Sequence, residues 1–262
     1  MQESTFAFEQ PPRALISGGA GGIGRAIAGS LRRSGGTVAV ADLPSALAAM
    51  PGDEGDRDLS IPMDIRAETS VRAGVARAAE VMDGLDTVVN AAGICRLRPL
   101  ADVDIEEWEA TLGINLTGTF LVMREAMPYL KASGCGRIVN IASDAGKRGY
   151  PQLGAYCASK FGVVGLTQSI AAEVAPDGVR VNAVCPSTIA DSPMGDDVAR
   201  QRVALGHAAD IDGIRQRRIE RYPLGRPGVV ADVTEAVLFL LSDGAGWITG
   251  ETLNIDGGSL AG

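Results

Sequence analysis

Near the amino end the chain runs Arg13-Ala-Leu-Ile-Ser-Gly-Gly-Ala-Gly-Gly-Ile-Gly24 and continues Arg25-Ala-Ile-Ala-Gly-Ser-Leu31. A short apolar run, Arg13–Ser17, meets a glycine cluster and reads as a buried strand. Ile23, Ile27 and Leu31 then recur every four residues, which predicts a helix over Gly22–Ser34. Gly19-x-Gly21-x-x-Gly24 fits the dinucleotide fingerprint, and Gly18-x-x-x-Gly22-x-Gly24 fits a close variant, both in the required strand–turn–helix context. Glycines let a pyrophosphate approach the backbone, and the helix N-terminus offers N–H donors and the positive end of its dipole.

Outward from this unit, strands and helices alternate. Thr37–Ala41 is a strand, Glu68–Met82 a helix and Leu85–Val89 a strand. Ile105–Lys131 holds a long helix interrupted near Gly113 or Gly118, and Arg137–Ala142 is a strand. Leu153–Ala175 is a helix stopped by Pro176, Val179–Val184 a strand, Val230–Leu241 a helix and Thr252–Ile255 a last strand. Residues 43–62 resist assignment, and 186–228 are mixed and loop-rich. The alternation implies βαβ units and a parallel sheet covered on both faces. Residues 1–12, ending in Pro11-Pro12, read as an N-terminal arm, and 13–262 as a single α/β domain.

Charge and composition narrow the function. The 262 residues carry 24 Lys+Arg against 32 Asp+Glu, a net charge of −8, without a basic stripe, so nucleic acid is not an expected partner. The apolar fraction of 46% excludes low-complexity disorder. The longest strictly apolar run, Ala236–Leu241, is far short of a membrane span, and the first ten residues lack a secretory pattern. A cytoplasmic protein is expected. Four cysteines (95, 135, 157, 185) form no CxxC pair, and His207 is the single histidine, so neither a metal site nor a Ser-His-Asp triad is expected.

Asp42 follows the second strand, 18 residues after Gly24. A carboxylate there accepts from the adenosine ribose hydroxyls and repels a 2′-phosphate, which favours NAD over NADP. Arg25 is the one nearby cation. Tyr156-Cys-Ala-Ser-Lys160 lies in the Leu153–Ala175 helix, and spacing of four sets both side chains on one face, Cβ atoms roughly 5–6 Å apart. A neighbouring ammonium would lower the phenol from its usual pKa of about 10 and make it a usable acid or base.

Gly18/Gly22/Gly24, Asn90-Ala91-Ala92-Gly93, Asn115, Ser143, Tyr156-x-x-x-Lys160 and Pro186 together resemble the short-chain dehydrogenase/reductase family over about residues 12–260. The resemblance implies a single-domain Rossmann-like, doubly wound parallel sheet of about seven strands with helices on both faces, commonly in a homotetramer. It implies that Tyr156 exchanges a proton with the substrate oxygen and that Lys160 lowers its pKa and holds the nicotinamide ribose. Ser143 would polarise the substrate carbonyl, and Asn115 would keep a water linking Lys160 to solvent. Cofactor contacts would come from Gly18, Gly22, Ile23, Gly24, Asp42, Asp64, Ile65, Asn90, Ala91, Gly93, Pro186 and Ile189. The substrate wall would include Ser143, Tyr150, Tyr156 and Cys95, with residues 187–228 as substrate loop and lid. Two departures stand out: Ala91 replaces the family's usual asparagine, and Pro186-Ser187 replaces Pro-Gly.

The implied reaction interconverts a secondary alcohol (a polyol, sugar or small hydroxy compound) and its ketone with NAD. Two alternatives are a 3-oxoacyl-[acyl-carrier-protein] reductase using NADPH and a non-catalytic dinucleotide-binding regulatory protein. The charge balance and Asp42 speak against the first, and the intact Asn115, Ser143, Tyr156 and Lys160 against the second.

Overall fold

The computed structural model describes residues 6–50 and 59–261. Seven strands form one sheet: β1 (Arg13–Ser17), β2 (Thr37–Asp42), β3 (Ser60–Pro62), β4 (Thr87–Asn90), β5 (Arg137–Ile141), β6 (Arg180–Pro186) and β7 (Thr252–Ile255). Their order is β3-β2-β1-β4-β5-β6-β7, every pair parallel. The chain builds outward from β1 to β3, then crosses to β4 and builds the other way. The switch therefore lies between β1 and β4, where doubly wound sheets open a ligand crevice at the strands' carboxyl ends.

Strand side chains alternate between two cores. Leu15, Val88, Ile138 and Val181 meet α3 (Glu68–Val81), α5 (Thr119–Ser133) and α6 (Gly154–Val174) on one face. Ala14, Ile16, Val40, Val89, Val139 and Val184 meet α1 (Gly22–Arg33) and α9 (Val230–Leu241) on the other. Apolar side chains on both sides of the strands are what a sheet buried on both faces demands. A polar row crosses this interior. Ser17 Oγ donates to Asn90 Oδ1 (3.2 Å), Asn90 Nδ2 to Asn140 Oδ1 (2.9 Å), and Asn140 Nδ2 to Thr167 Oγ1 on α6 (2.9 Å).

The strands beginning at Arg13 and Thr252 and the helix Val230–Leu241 match the sequence expectation end to end, and the other expected elements shift by one or two residues. The stretch 43–62 contains a short α2 (Pro44–Ala48) and β3, its residues 51–58 lying outside the described set. The loop-rich 186–228 contains α7 (Pro193–Ala204) and α8 (Ile211–Ile219). The interruption expected near Gly113 or Gly118 is not a break. Between α4 (Ile105–Leu112) and α5 the helix widens into a π-turn, Gly113–Gly118, a feature that often re-aims one side chain. Gly118 lets Ile65 pack against the turn, since a Cβ would lie 2.7 Å from Ile65 Cδ1.

The described part of the expected arm is a strap. Phe6 packs on Phe239 of α9 with ring centroids 6.4 Å apart, and the Arg137 guanidinium sits over the Phe8 ring. Ala7 O accepts from Asp243 N at 3.2 Å.

Candidate active site

The loop from β1 to α1 is built by steric need. Gly18 has φ +69°, and a Cβ on it would lie 2.4 Å from Ala92 N, so the loop lies directly on the Ala91–Ala92 backbone after β4. A Cβ on Gly24 would lie 2.4 Å from Gly18 O, so the first turn of α1 closes against the same loop. Gly22 faces Pro193 at the start of α7, 3.0 Å from Cδ to the Cβ position. The result is a bare backbone cradle at the amino end of α1, open to a cavity of about 1320 Å³.

Asp42, at the carboxyl end of β2, lines this cavity. Its Oδ2 accepts from Ala20 N (3.1 Å) and its Oδ1 from Leu43 N (2.8 Å), which hold the carboxylate beside the cradle. Asp64 also lines the cavity, but its carboxylate is engaged by Arg66, Nη2 at 2.7 Å, and this bond holds the acid below its ordinary range. Gly18, Gly22, Ile23, Gly24, Ile65, Ala91, Gly93, Pro186 and Ile189 border the same space. Asn90 does not: its amide is spent in the polar row inside the sheet, and the wall begins at Ala91.

The far wall carries the polar groups. Ser143 follows β5 and caps the next turn, its Oγ accepting from Ala145 N at 3.1 Å and bonding Asp144 Oδ1 at 3.0 Å. Tyr150 OH donates to Asp144 Oδ2 at 2.8 Å. Tyr156 and Lys160 both project from α6 into this wall, with Lys160 Nζ 5.7 Å from the Tyr156 ring centroid. Lys160 Nζ donates to Ile141 O at 2.8 Å. Gly93 lies against it, since a Cβ there would stand 3.6 Å from Lys160 Nζ and 3.3 Å from Asn115 Oδ1.

Asn115 is fully buried in the π-turn. It bonds both peptide groups of Ile94 and donates to Ser159 Oγ at 3.0 Å, so it joins the loop after β4 to α6 rather than opening on the cavity.

The electrostatics differ from the sequence expectation. Burial pushes the Tyr156 phenol above its ordinary value, reinforced by Cys95, while the Ser143 hydroxyl acts the other way. Burial lowers Lys160 to about 8. Burial is the largest cause of both shifts, and it opposes the acidification that a neighbouring ammonium would bring to the phenol. Burial also raises Cys95 to about 12, which makes it an inert wall thiol.

Residues the sequence reading missed are Gln201 and Tyr222. Gln201 on α7 donates to Cys95 O (3.1 Å) and accepts from Leu97 N (2.8 Å), clamping α7 over the β4 loop. Tyr222 OH lies 3.1 Å from Ser187 Oγ and accepts from Thr188 N, fixing the segment after β6. Neither residue belongs to a short motif; the segment's helical content was the signal available.

A glycine cradle, a carboxylate beside it and a Ser/Tyr/Lys wall around one cavity are the features of a nicotinamide dinucleotide-dependent oxidoreductase. Comparison with known proteins agrees. Residues 18–259 match the family profile described as enoyl-(acyl carrier protein) reductase. A 2-(S)-hydroxypropyl-CoM dehydrogenase of Xanthobacter autotrophicus is 38% identical over 250 residues, covering 94% of this chain and 95% of its own. D-Threitol dehydrogenase of Mycolicibacterium smegmatis is also 38% identical, covering 94% and 91%. The crystal structure of levodione reductase superposes with a TM-score of 0.87 at 30% identity, covering 98% of this chain and 100% of that one. The chain belongs to the short-chain dehydrogenase/reductase family, and it is an oxidoreductase acting on an alcohol/ketone pair.

Among the described residues no helix is long and apolar enough to cross a membrane.

Proposed function

We propose that the protein is an NAD-dependent dehydrogenase of a small secondary alcohol, with Tyr156 as its proton donor and acceptor. The observation that carries this reading is that Ser143, Tyr156 and Lys160 line the same cavity as the glycine cradle and Asp42. Gly18, Gly22, Ile23 and Gly24 would hold the pyrophosphate by backbone contacts, Asp42 the adenosine ribose, and Asp64 and Ile65 the adenine. Pro186 and Ile189 would border the nicotinamide. When bound, the dinucleotide supplies or takes up the hydride at its nicotinamide C4.

The chain's own groups would handle the proton. Ser143 Oγ would hold the substrate oxygen beside the Tyr156 hydroxyl. The raised phenol stays protonated near neutrality, so as placed it is a donor for ketone reduction. Lys160, held by Ile141 O, would bind the ribose and bring positive charge to the phenolate formed. Asn115 would fix the Ile94 loop against α6. Tyr150 and Cys95 would shape the substrate wall, with 187–228 covering it.

The test is a panel of ketones, diols, polyols and acyl thioesters scored by NADH absorbance, run on the parent and on Tyr156→Phe. Loss of about 10²–10⁴-fold in turnover, with NADH binding kept, is expected of the variant. Retained turnover would show that another group moves the proton. Family membership also supports a cytoplasmic homotetramer; a solution mass near that of one 27.0 kDa chain would contradict the assembly.

A further inference from the structure

The cavity has two electrically different halves. Its nucleotide half presents Asp42 and the Asp64–Arg66 pair. Its substrate half, lined by Tyr156, also presents Arg148, Arg202 and Arg221, although the chain as a whole carries a net charge of −8. The acid on that half, Asp144, already accepts from Tyr150 OH and bonds Ser143 Oγ.

Arg202 is the unusual member. It is half-buried on α7, and its Nε is buried without a hydrogen-bond partner. A buried donor left unpaired costs about as much as a lost hydrogen bond, more when charged. Burial and the like charge of Arg221 both push the guanidinium below its ordinary range, and the other groups acting on it are Cys95, Tyr222 and Tyr150, none a carboxylate. Its backbone is anchored, because the preceding Gln201 is clamped to Cys95 and Leu97. Arg221 is likewise followed by the anchored Tyr222. Tyr156 sits in an apolar cluster with Cys95 and Leu97, against which Val198 and Leu205 pack, and Cys95 and Val198 carry this apolar collar onto the cavity wall.

Resting on the oxidoreductase reading, we infer that Arg202, with Arg221 beside it, is an anion subsite, so that the substrate is a hydroxy or oxo acid. Its carbinol carbon would face Tyr156, a short apolar spacer would cross the collar, and an oxyanion would accept the unpaired guanidinium N–H. A guanidinium offers a planar donor fork that matches a carboxylate, and the anion would relieve the repulsion between two neighbouring cations.

The test compares 4-oxopentanoate and 5-oxohexanoate with their uncharged amides at pH 7 in the presence of NADH. At least one acid is expected to exceed its amide about 10- to 100-fold in kcat/KM, the worth of a charge-assisted bond, and mainly through KM. Arg202→Gln should bring that ratio close to one, and Arg202→Lys should restore part of it. A separate calorimetric titration of hexanoate and hexanamide into NAD-saturated protein reads the subsite without turnover. Amides reduced as well as acids by the parent would overturn the subsite and leave the oxidoreductase reading intact. If neither is reduced but hexanoate binds in preference to hexanamide and loses that preference in Arg202→Gln, the subsite stands and the catalytic reading falls. Absence of any acid preference in both assays would overturn the subsite.

Discussion

The Asn115 carboxamide bonds both peptide groups of Ile94, with Oδ1 2.8 Å from Ile94 N and Nδ2 2.9 Å from Ile94 O. One side chain thus replaces the two ladder bonds that a further strand residue would have made. It fixes the loop whose Gly93 lies against Lys160. Asn115→Leu leaves the two Ile94 groups without these partners, and each buried orphan costs about 1–3 kcal/mol. A loss of about 3 kcal/mol in urea denaturation is expected. A loss under about 1 kcal/mol, less than one such group, would show that the loop finds other partners.

Lys160 gives a second expectation, with a pH signature. Its folded pKa of about 8 lies below the ordinary 10.5. Between these values the unfolded chain holds a proton that the folded chain has lost, so this group makes folding more favourable as pH rises through the window. Below about 8 the buried charge costs about 3 kcal/mol at 1.36 kcal/mol per unit, from which the lost Ile141 bond of about 1 kcal/mol must be subtracted on replacement. Lys160→Met should therefore be more stable than the parent by about 2 kcal/mol at pH 7, with the gap closing towards pH 10. Chemical denaturation of both proteins at the two pH values measures this. A variant less stable at pH 7 would mean that the site compensates the charge.

Asp42 should set coenzyme choice. The parent is expected to bind NADH at least about tenfold more tightly than NADPH, and Asp42→Ala should narrow the difference by removing the repulsion of a 2′-phosphate. Fluorescence titration with both dinucleotides reads it, and equal affinities in the parent would remove the basis for NAD.

Gly18→Ala should fail by geometry. The added Cβ would meet Ala92 N at 2.4 Å from a left-handed backbone, strain of about 1–2 kcal/mol before any overlap is counted. Weakened NADH binding together with a lower thermal midpoint is expected; undiminished binding would show that the cradle is not the dinucleotide site.

Most of the sheet and its cradle were legible because six strands are apolar runs bounded by turn residues, and because glycine is demanded where two backbones touch; β3, the three residues Ser60–Pro62, is too short and too polar to carry that signal. The Tyr156–Lys160 pair was legible only when its spacing was read together with the glycine loop. Its electrostatics were not, since the depth at which α6 places both groups, and the Ile141 carbonyl that takes the lysine, are set by tertiary packing. Gly113 and Gly118 signalled an irregularity, yet glycine cannot distinguish a break from a widened turn. Asn90 misled the reading because an asparagine at a strand end can face the ligand or the sheet interior. Helices α7 and α8 were legible only as helical content within 187–222, because their polar composition hides where each helical period begins and ends.

The polar row from Ser17 through Asn90 and Asn140 to Thr167 works as a key cut into an otherwise greasy sheet. Ser17 pairs with Asn90 and Asn90 with Asn140 in the strand register. Any slip of one residue would turn these amides towards the opposite core and strand their donors in hydrocarbon. Apolar strands alone would tolerate several alignments, but this lock admits one, and so the three central strands deliver their following loops to the cleft at matching heights.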